Sequence, residues 1–488
     1  MNAQTLINSL NYRRISLPAD QDLDFEVSLV SQNTHELIPN SVFIAISGFK
    51  TDGHDLVTQA INQGARLIVA QKPLQVKVPV VYVRDTRRAM ATLSAIFYDH
   101  PSQKLHLTGV TGTNGKTTVT HLLDAIYRYH HIKTGLVGTM YHKVDNQYLK
   151  AINTTPANHK LQKLFAQMVE AKVQAVSMEV SSVALVQGRT WEADFNTAIF
   201  TNFSQDHLDY HQNMAEYAHA KSLLFSQLGN LQKGKTAIIN QDDTLADFII
   251  TSTEAQILTY GINTDADFQA TKLHHHAQGT DFTLQALGQS YAVYLPLVGT
   301  HNVYNALAAI AGAYVYGLDL KTIIAALKTV TGVKGRLQLV TGPHEINAFV
   351  DYAHTPAALA NTLQTLKPLT QSRIITVFGC GGNRDADKRP KMTQIAQKYS
   401  DLVILTTDNP RQENPADIIL DMLRGLDDLS QIEIELDRRQ AIRKAVALAH
   451  PGDVILLAGK GHENHQIIGD TITKFDDVAE VQAAFTCN

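Results

Sequence analysis

Short apolar runs rich in valine, isoleucine and leucine recur along this chain, each followed by a stretch with helical spacing. From "KLHLTGVT" (104–111) onward they predict strands at "TGLVGT" (134–139), "VQAVSMEV" (173–180), "TAIFTNF" (197–203) and "KTAIIN" (235–240). These runs lack the polar alternation of a half-exposed strand. They predict a mostly parallel sheet with both faces covered by helices. "KTTVTHLLDAIYRYHH" (116–131) predicts the helix after the first strand, and "HNVYNALAAIAGAYVYGL" (301–318) a strongly apolar helix.

The same alternation occurs on either side of this region. Before it, "SVFIAI" (41–46) and "RLIVA" (66–70) flank a helical "GHDLVTQAINQGA" (53–65) that stops at Gly64. After "TGVKGRLQLV" (331–340), strands are predicted in "INAFVDYAHT", "RIITVFGCGG", "DLVILTTDNP", "IEIELD" and "DVILLAGKGHE". His100-Pro101 interrupts the first alternation, because the residue before proline is pushed out of the helical region. The expected organisation is α/β with three domains, 1–98, 99–332 and 333–488, the last a second βαβ domain of Rossmann-like type. No repeat, low-complexity segment or heptad is visible.

Composition narrows the function classes. A chain of 488 residues is too long for one core. The formal net charge is −4, from 42 basic and 46 acidic residues, and no long basic run is present, which argues against a nucleic-acid partner. No apolar stretch reaches about 18 residues, so no membrane span is expected. The first 20 residues lack the plan of a signal peptide. Two cysteines, Cys380 and Cys487, cannot form a disulfide framework, so a cytoplasmic, reducing setting is expected. Cys380, at a glycine-rich strand end, is expected to be a small packed residue. The triple histidine His274–His276 is expected in a surface loop or strand rather than at a metal.

"LTGVTGTNGKTTVTHLL" (107–123) places a glycine-rich turn between a strand and a helix, the setting of a phosphate cradle. Lys116 would balance phosphate charge and the Thr117 hydroxyl would suit Mg2+. The common phosphate-loop spacing requires glycine at position 110, where this chain has Val110. "TGTNGKTT" instead resembles the ATP loop of the Mur ligases and of their relative folylpolyglutamate synthase, where valine is expected there. This resemblance covers the whole chain.

The resemblance implies a central ATPase domain in which Gly112, Thr113, Asn114, Gly115, Lys116, Thr117 and Thr118 bind ATP. Glu179 in "MEVSS" matches a Mg2+ ligand; Val183 stands where the family often has histidine. "TNFSQDHLDYH" (201–211) supplies Asn202 and Asp206 on the nucleotide side and His207 as ligand of a second Mg2+. Lys221 in "HAKSLLF" matches a lysine carbamylated by CO2, which turns a cation that repels Mg2+ into an anionic oxygen donor. Asn302 in "GTHNVYNALAA" matches an adenine-side contact. Arg336 in "GRLQ" and Asp351 in "VDYAHTP" lie near the expected seam between central and C-terminal domains. Arg336 would neutralise charge on the transferring phosphoryl group. Asp351 would either join the nucleotide site or cap the helix beginning near Thr355.

The resemblance also implies the substrates. "NTTP" (153–156) and "SSVALVQGR" (181–189) match the branch acting on a UDP-N-acetylmuramoyl dipeptide, through Asn153, Thr154, Thr155, Ser181, Gln187 and Arg189. The N-terminal domain resembles the uridine-holding one, with "GFKTDGHD" (48–55) its clearest stretch. A family D-S-R triplet appears as Asn33-Thr34-His35, and Thr34 keeps the hydroxyl. "DNPR" (408–411) resembles a meso-diaminopimelate motif: Asp408, Asn409, Pro410 and Arg411, joined by Arg384, Gly459 and Glu463. A guanidinium holds a carboxylate with two parallel bonds and repels the ammonium of lysine. The implied activity is ATP-dependent ligation by a monomer in peptidoglycan synthesis. L-lysine or L-ornithine addition, a folylpolyglutamate-type ligase, and a non-catalytic nucleotide-binding paralogue are the alternatives.

Overall fold

The computed structural model describes residues 1–11, 13–48, 51–208, 210–229, 234–276, 278–370 and 372–487. Phe49 and Lys50 of the 48–55 stretch, Asp209 of the 201–211 stretch and the Cys487 side chain lie outside that description. The chain divides into two compact units: Met1–Gln269 with Leu307–Ile323, and Ala270–Ala306 with Ile324–Asn488.

In the first unit, the N-terminal stretch makes its own five-stranded sheet. The order is Arg14–Ser16, Val80–Tyr82, Ala65–Ala70, Ser41–Ile44, Leu29–Ser31, parallel except for the first pair. Both faces are buried, by Leu6, Val30, Val42 and Leu93 on one side and Phe43, Ala60 and Ile68 on the other. The stretch 53–65 begins as a tight 3-10 turn at Gly53–Leu56 before the helix Val57–Asn62, which Gly64 ends with φ 105°. His100 takes a left-handed conformation (φ 47°, ψ 55°) ahead of Pro101, clearly outside the helical region.

The larger sheet of this unit runs Gln256–Gly261, Thr236–Asn240, Thr197–Phe200, His106–Thr111, Ala175–Glu179, Thr134–Val137. All neighbours are parallel, with residues such as Leu107, Val176, Ala198 and Ile239 fully buried. An antiparallel hairpin, Tyr141–Val144 and Gln147–Lys150, extends one edge. The sequence pattern did not predict it, because every residue of its outer strand is exposed. Phe268–His276, Gly279–Ala286 and Gln289–Leu295, which belong to the second unit from Ala270 onward, form a further meander, so the triple histidine ends a strand.

His159, on the helix Asn158–Glu170, is 4% exposed and neither ring nitrogen makes a hydrogen bond; Glu36 lies 3.6 Å away. Burial pushes its pKa down from 6.5 to about 4, against the pull of Glu36. A folded value below the unfolded one means the contribution is full above pH 6.5 and lost as pH falls through 4. The loss is about 3 kcal/mol at most. Urea midpoints are expected to fall between pH 7 and 4, and His159→Leu to flatten that slope. An unchanged slope in the variant would count against a neutral buried His159.

In the second unit, a six-stranded sheet runs Gln338–Thr341, Asn347–Asp351, Val454–Ala458, Ile374–Phe378, Leu402–Leu405, Ile432–Ile434. Only the first pair is antiparallel. The late strand Val454–Ala458 inserts between two early ones. The strand order therefore reverses there, and in open α/β sheets ligands bind outside the carboxyl ends of the strands at such a point. Asp351, Cys380, Asp408 and Gly459 all sit at those ends.

Candidate functional site

The loop after His106–Thr111 turns through Gly112 (φ 149°) and Gly115 (φ 87°), the latter opening the helix Lys116–Tyr129. A side chain at Gly112 would collide with Thr201 Oγ1. Thr201 and Asn202 brace the loop. Asn114 N–H donates to Asn202 Oδ1 (2.9 Å), Asn202 Nδ2 returns a bond to Asn114 O (3.1 Å), and Thr201 Oγ1 donates to the same carbonyl (2.6 Å). Lys116 Nζ folds over the turn and donates to the carbonyls of Gly112 and Thr113, both at 2.8 Å. A positive group and a helix N-terminus thus share one turn, an arrangement suited to phosphate. Thr118 is buried in the first helical turn.

Thr117 Oγ1 donates to Glu179 Oε2 at 2.9 Å. Glu179 also accepts from Thr139 N–H (2.8 Å) and Thr139 Oγ1 (3.0 Å). The parallel pairing of Met178 with Gly109 and Glu179 with Val110 brings the carboxylate beside the loop. Lys221 is buried, and burial, reinforced by the charge of Lys116, pushes its amine well below the usual lysine range. Its Nζ lies 4.2 Å from the ring centre of Tyr217, one helical turn earlier. The Tyr217 hydroxyl is 3.2 Å from Thr113 Oγ1, and its ring meets that of His207 edge-on at 6.0 Å. Tyr217 therefore joins the loop, His207 and Lys221. Sequence reasoning did not single it out, although its spacing of four from Lys221 was a visible signal.

Among the described residues no three His, Cys, Asp or Glu side chains cluster as a metal site. Thr117 and Glu179 are nevertheless hard oxygen donors held together. Mg2+ is commonly bound by one or two carboxylates with substrate phosphates supplying the rest, so the donor set fits that ion. His207 and Asp206 are exposed, with Nε2 to Oδ2 at 3.6 Å.

Thr155, Ser181, Gln187 and Arg189 form one network. Thr155 Oγ1 donates to Glu179 O (2.9 Å) and accepts from Ser181 N–H (3.1 Å). Ser181 Oγ caps the short helix Ser182–Val186. Arg189 donates to Thr155 O (2.9 Å) and twice to Gln187 Oε1 (3.0 and 2.7 Å). Thr154 Oγ1 is 3.0 Å from Thr139 Oγ1, and Asn153 is exposed. Thr34 is 4% exposed, in a 3-10 turn capped by Asn33.

In the second unit Asn302 is buried and internally committed: Nδ2 donates to Val298 O (2.9 Å), and Oδ1 accepts from Asn305 (3.1 Å). Asp351 does not cap the helix Pro356–Leu366; Thr355 does. The buried Asp351 carboxylate accepts from Leu337 N–H (2.7 Å), Ala353 N–H (2.9 Å) and Thr362 Oγ1 (3.2 Å). Burial raises its pKa, opposed by Arg336. Arg336 lies over the Tyr352 ring at 5.1 Å, and that ring packs on His462 at 4.8 Å. Cys380 is buried, with its thiol pushed up to about 12 by desolvation, as befits a packed residue.

The residues expected to hold the amino acid lie within this unit. Arg411 is left-handed (φ 52°), its N–H donates to Ile467 O (3.1 Å) and its carbonyl accepts from Gly469 N–H (2.7 Å). This double backbone tie aims Nη1 at Gly382 O (2.8 Å). Arg411 Nη1 and Arg384 Cγ lie 3.0 and 3.9 Å from the point where a side chain on Gly381 would begin. Asn409 Nδ2 donates to Glu463 Oε2 (2.8 Å), and its Oδ1 accepts from Lys460 (3.2 Å) and Ile467 N–H (3.0 Å). Pro410 follows, and the Arg389 side chain behind the loop pairs with Glu413 (2.8 Å). Asp408 is buried, 3.9 Å from Lys460, and Gly459 leaves room for its carboxylate. Lys460 is fully buried between Asp408, Asn409 and Glu463. Sequence reasoning passed over it inside "GKGHE".

Comparison with known proteins matches three family models: "Mur ligase family, catalytic domain" over residues 26–100, "Mur ligase middle domain" over 110–313, and "Mur ligase, glutamate ligase domain" over 335–461. A UDP-N-acetylmuramoyl-L-alanyl-D-glutamate--2,6-diaminopimelate ligase of Lactiplantibacillus plantarum is 48% identical over 99% of this chain and 98% of its own length. A ligase of the same name from Listeria innocua is 46% identical over 94% of each chain. A solved structure bearing that name superposes with a TM-score of 0.75 at 33% identity, covering 100% of this chain and 99% of its own. With the three models spanning most of the sequence in order, the chain belongs to the Mur ligase family.

Proposed function

We propose that this chain is an ATP-dependent amide ligase that adds meso-diaminopimelate to UDP-N-acetylmuramoyl-L-alanyl-D-glutamate, a cytoplasmic step in making peptidoglycan precursors. The observation that carries the amino-acid choice is the pocket of Arg384, Arg411 and Glu463. The Arg411 guanidinium and the stem of Arg384 stand beside Gly381, while Asn409 links this loop to the Glu463 carboxylate. Such a pair of opposite charges suits the far end of diaminopimelate, which bears both a carboxylate and an ammonium group. The far end of lysine bears the ammonium alone.

The segments 1–98, 99–332 and 333–488 are assigned to the uridine nucleotide, ATP and the amino acid. The γ-carboxylate of the D-glutamyl end attacks the terminal phosphorus of ATP and ADP leaves. The amine of diaminopimelate then attacks the acyl phosphate, loses a proton, and inorganic phosphate departs from the tetrahedral intermediate. Lys116 and Arg336 offset phosphoryl charge as it shifts. Thr117, Glu179, His207 and a carbamylated Lys221 would hold Mg2+, which supplies charge neutralisation at the phosphates. Burial favours a neutral Lys221 amine, the form able to add to CO2.

The test is phosphate release with ATP and the muramoyl dipeptide, offering meso-diaminopimelate, L-lysine and L-ornithine in parallel. Release with diaminopimelate at least about a hundredfold above the others is expected, the range of a recognised against a missing charged group. A preference for lysine would sink the role given to Arg411. No substrate-dependent release with any amino acid would sink the ligase assignment.

A further inference from the structure

We propose that Arg87 is a substrate-binding residue that, together with Arg189, grips the diphosphate of a nucleotide-linked substrate. The inference rests on the proposed activity, in which the first unit receives a UDP-linked muramoyl peptide. Arg87 lies in the first turn of the helix Thr86–Phe97, where Asp85 caps the N-terminus by accepting from Arg87 N–H (2.8 Å) and Arg88 N–H (3.1 Å). The cap spends one oxygen of Asp85 on the backbone and sends the two side chains different ways.

Arg88 stacks on Trp191, 4.1 Å from the ring centre, and the same ring fills the space beside Gly188. Farther along the helix, Thr92 Oγ1 meets Glu192 Oε1 at 3.4 Å. The helix is therefore seated on the turn that carries Gln187 and Arg189. Arg87 reaches toward the opposite stretch and donates from Nη2 to Ser47 O at 3.2 Å. It thus ties the helix that packs on the Gln187–Arg189 turn to the end of the strand region at Ser47.

Arg189 gives its bonds to neutral oxygens, the Thr155 carbonyl and the Gln187 amide. Arg87 gives its bond to a carbonyl, and among the described residues neither arginine forms an ion pair. Burial disfavours the charged form of Arg189, and the charge of Arg87 adds to this against the pull of Tyr210. Two like charges in one neighbourhood disfavour each other, and an anion with several oxygens bound by both offsets that repulsion. The planar donor fork of arginine matches non-bridging phosphate oxygens.

Calorimetry on the full chain tests this, with UDP-N-acetylmuramoyl-L-alanyl-D-glutamate in one arm and UDP in the other. Arg87→Ala and Arg87→Gln are each expected to raise Kd about tenfold for both ligands, the loss of one charge-assisted contact. Arg87→Lys should recover part of it, and the KM for ATP should stay within about twofold, which a misfolded variant would not show. Wild-type binding matched by both variants would overturn this inference alone. Weakened binding of the dipeptide substrate with unchanged UDP binding would overturn the diphosphate assignment, since Arg87 would then face a peptide carboxylate. No binding of either ligand by the wild type would overturn the proposed activity as well.

Discussion

Lys116→Ala is expected to lower substrate-dependent phosphate release about a thousandfold, or about 4 kcal/mol in the barrier, the scale of losing one preorganised electrostatic donor. Its ammonium is curled against the carbonyls of Gly112 and Thr113, at the crown of the turn. The turn is held by other groups, Asn202 and Thr201 above all. Removing the lysine side chain therefore takes away charge and leaves the backbone cradle. Lys116→Arg should not restore the rate, because a guanidinium cannot occupy the space of an ammonium folded over two carbonyls. Affinity for the muramoyl dipeptide should change little, since the Thr155–Arg189 network does not involve Lys116. Steady-state phosphate release with dipeptide-binding calorimetry separates the two effects. A loss under tenfold would remove Lys116 from phosphoryl transfer.

Arg411→Ala is expected to reduce kcat/KM for meso-diaminopimelate by a hundredfold or more, about 3 kcal/mol, the usual cost of removing one member of a desolvated charge pair. The effect should appear mainly in the KM for the amino acid. The loop should survive, because Ile467 and Gly469 hold Arg411 by its backbone and only the bond to Gly382 O and the weak contact with Asn409 O go with the side chain. L-lysine should gain relative to diaminopimelate, since the repulsion of its ammonium is lifted while Glu463 remains. Competing the two amino acids in one assay reads that ratio. An unchanged ratio would place selectivity elsewhere, with Arg384 the next candidate.

The core strands were legible because their residues are apolar whichever neighbours they find. "VQAVSMEV", "RIITVFGCGG" and "DVILLAGKGHE" each contain a strand where the run is densest. The outer strand Gln147–Lys150 was not, since an exposed edge carries no burial signal. The phosphate loop was legible from local spacing, because one turn of backbone makes most of the cradle. Tyr217, Lys460 and Arg87 were not, because their partners are far away in sequence. Tyr217 meets Thr113, Lys460 meets Asp408, and Arg87 meets Ser47.

The tertiary structure also decided between alternatives that the sequence left open. Thr355 caps its helix, so Asp351 is released to hold the Leu337 and Ala353 N–H groups. Thr34, whose hydroxyl matched a family position, is buried, and the amide of Asn302 is spent inside its own unit. By itself the sequence determined the α/β class, the family and the glycine-rich loop, since these depend on composition and short-range spacing. Only the tertiary structure decided which polar groups are already satisfied and which charges stand together uncompensated, because hydrogen bonding and desolvation depend on what folding brings within a few ångströms.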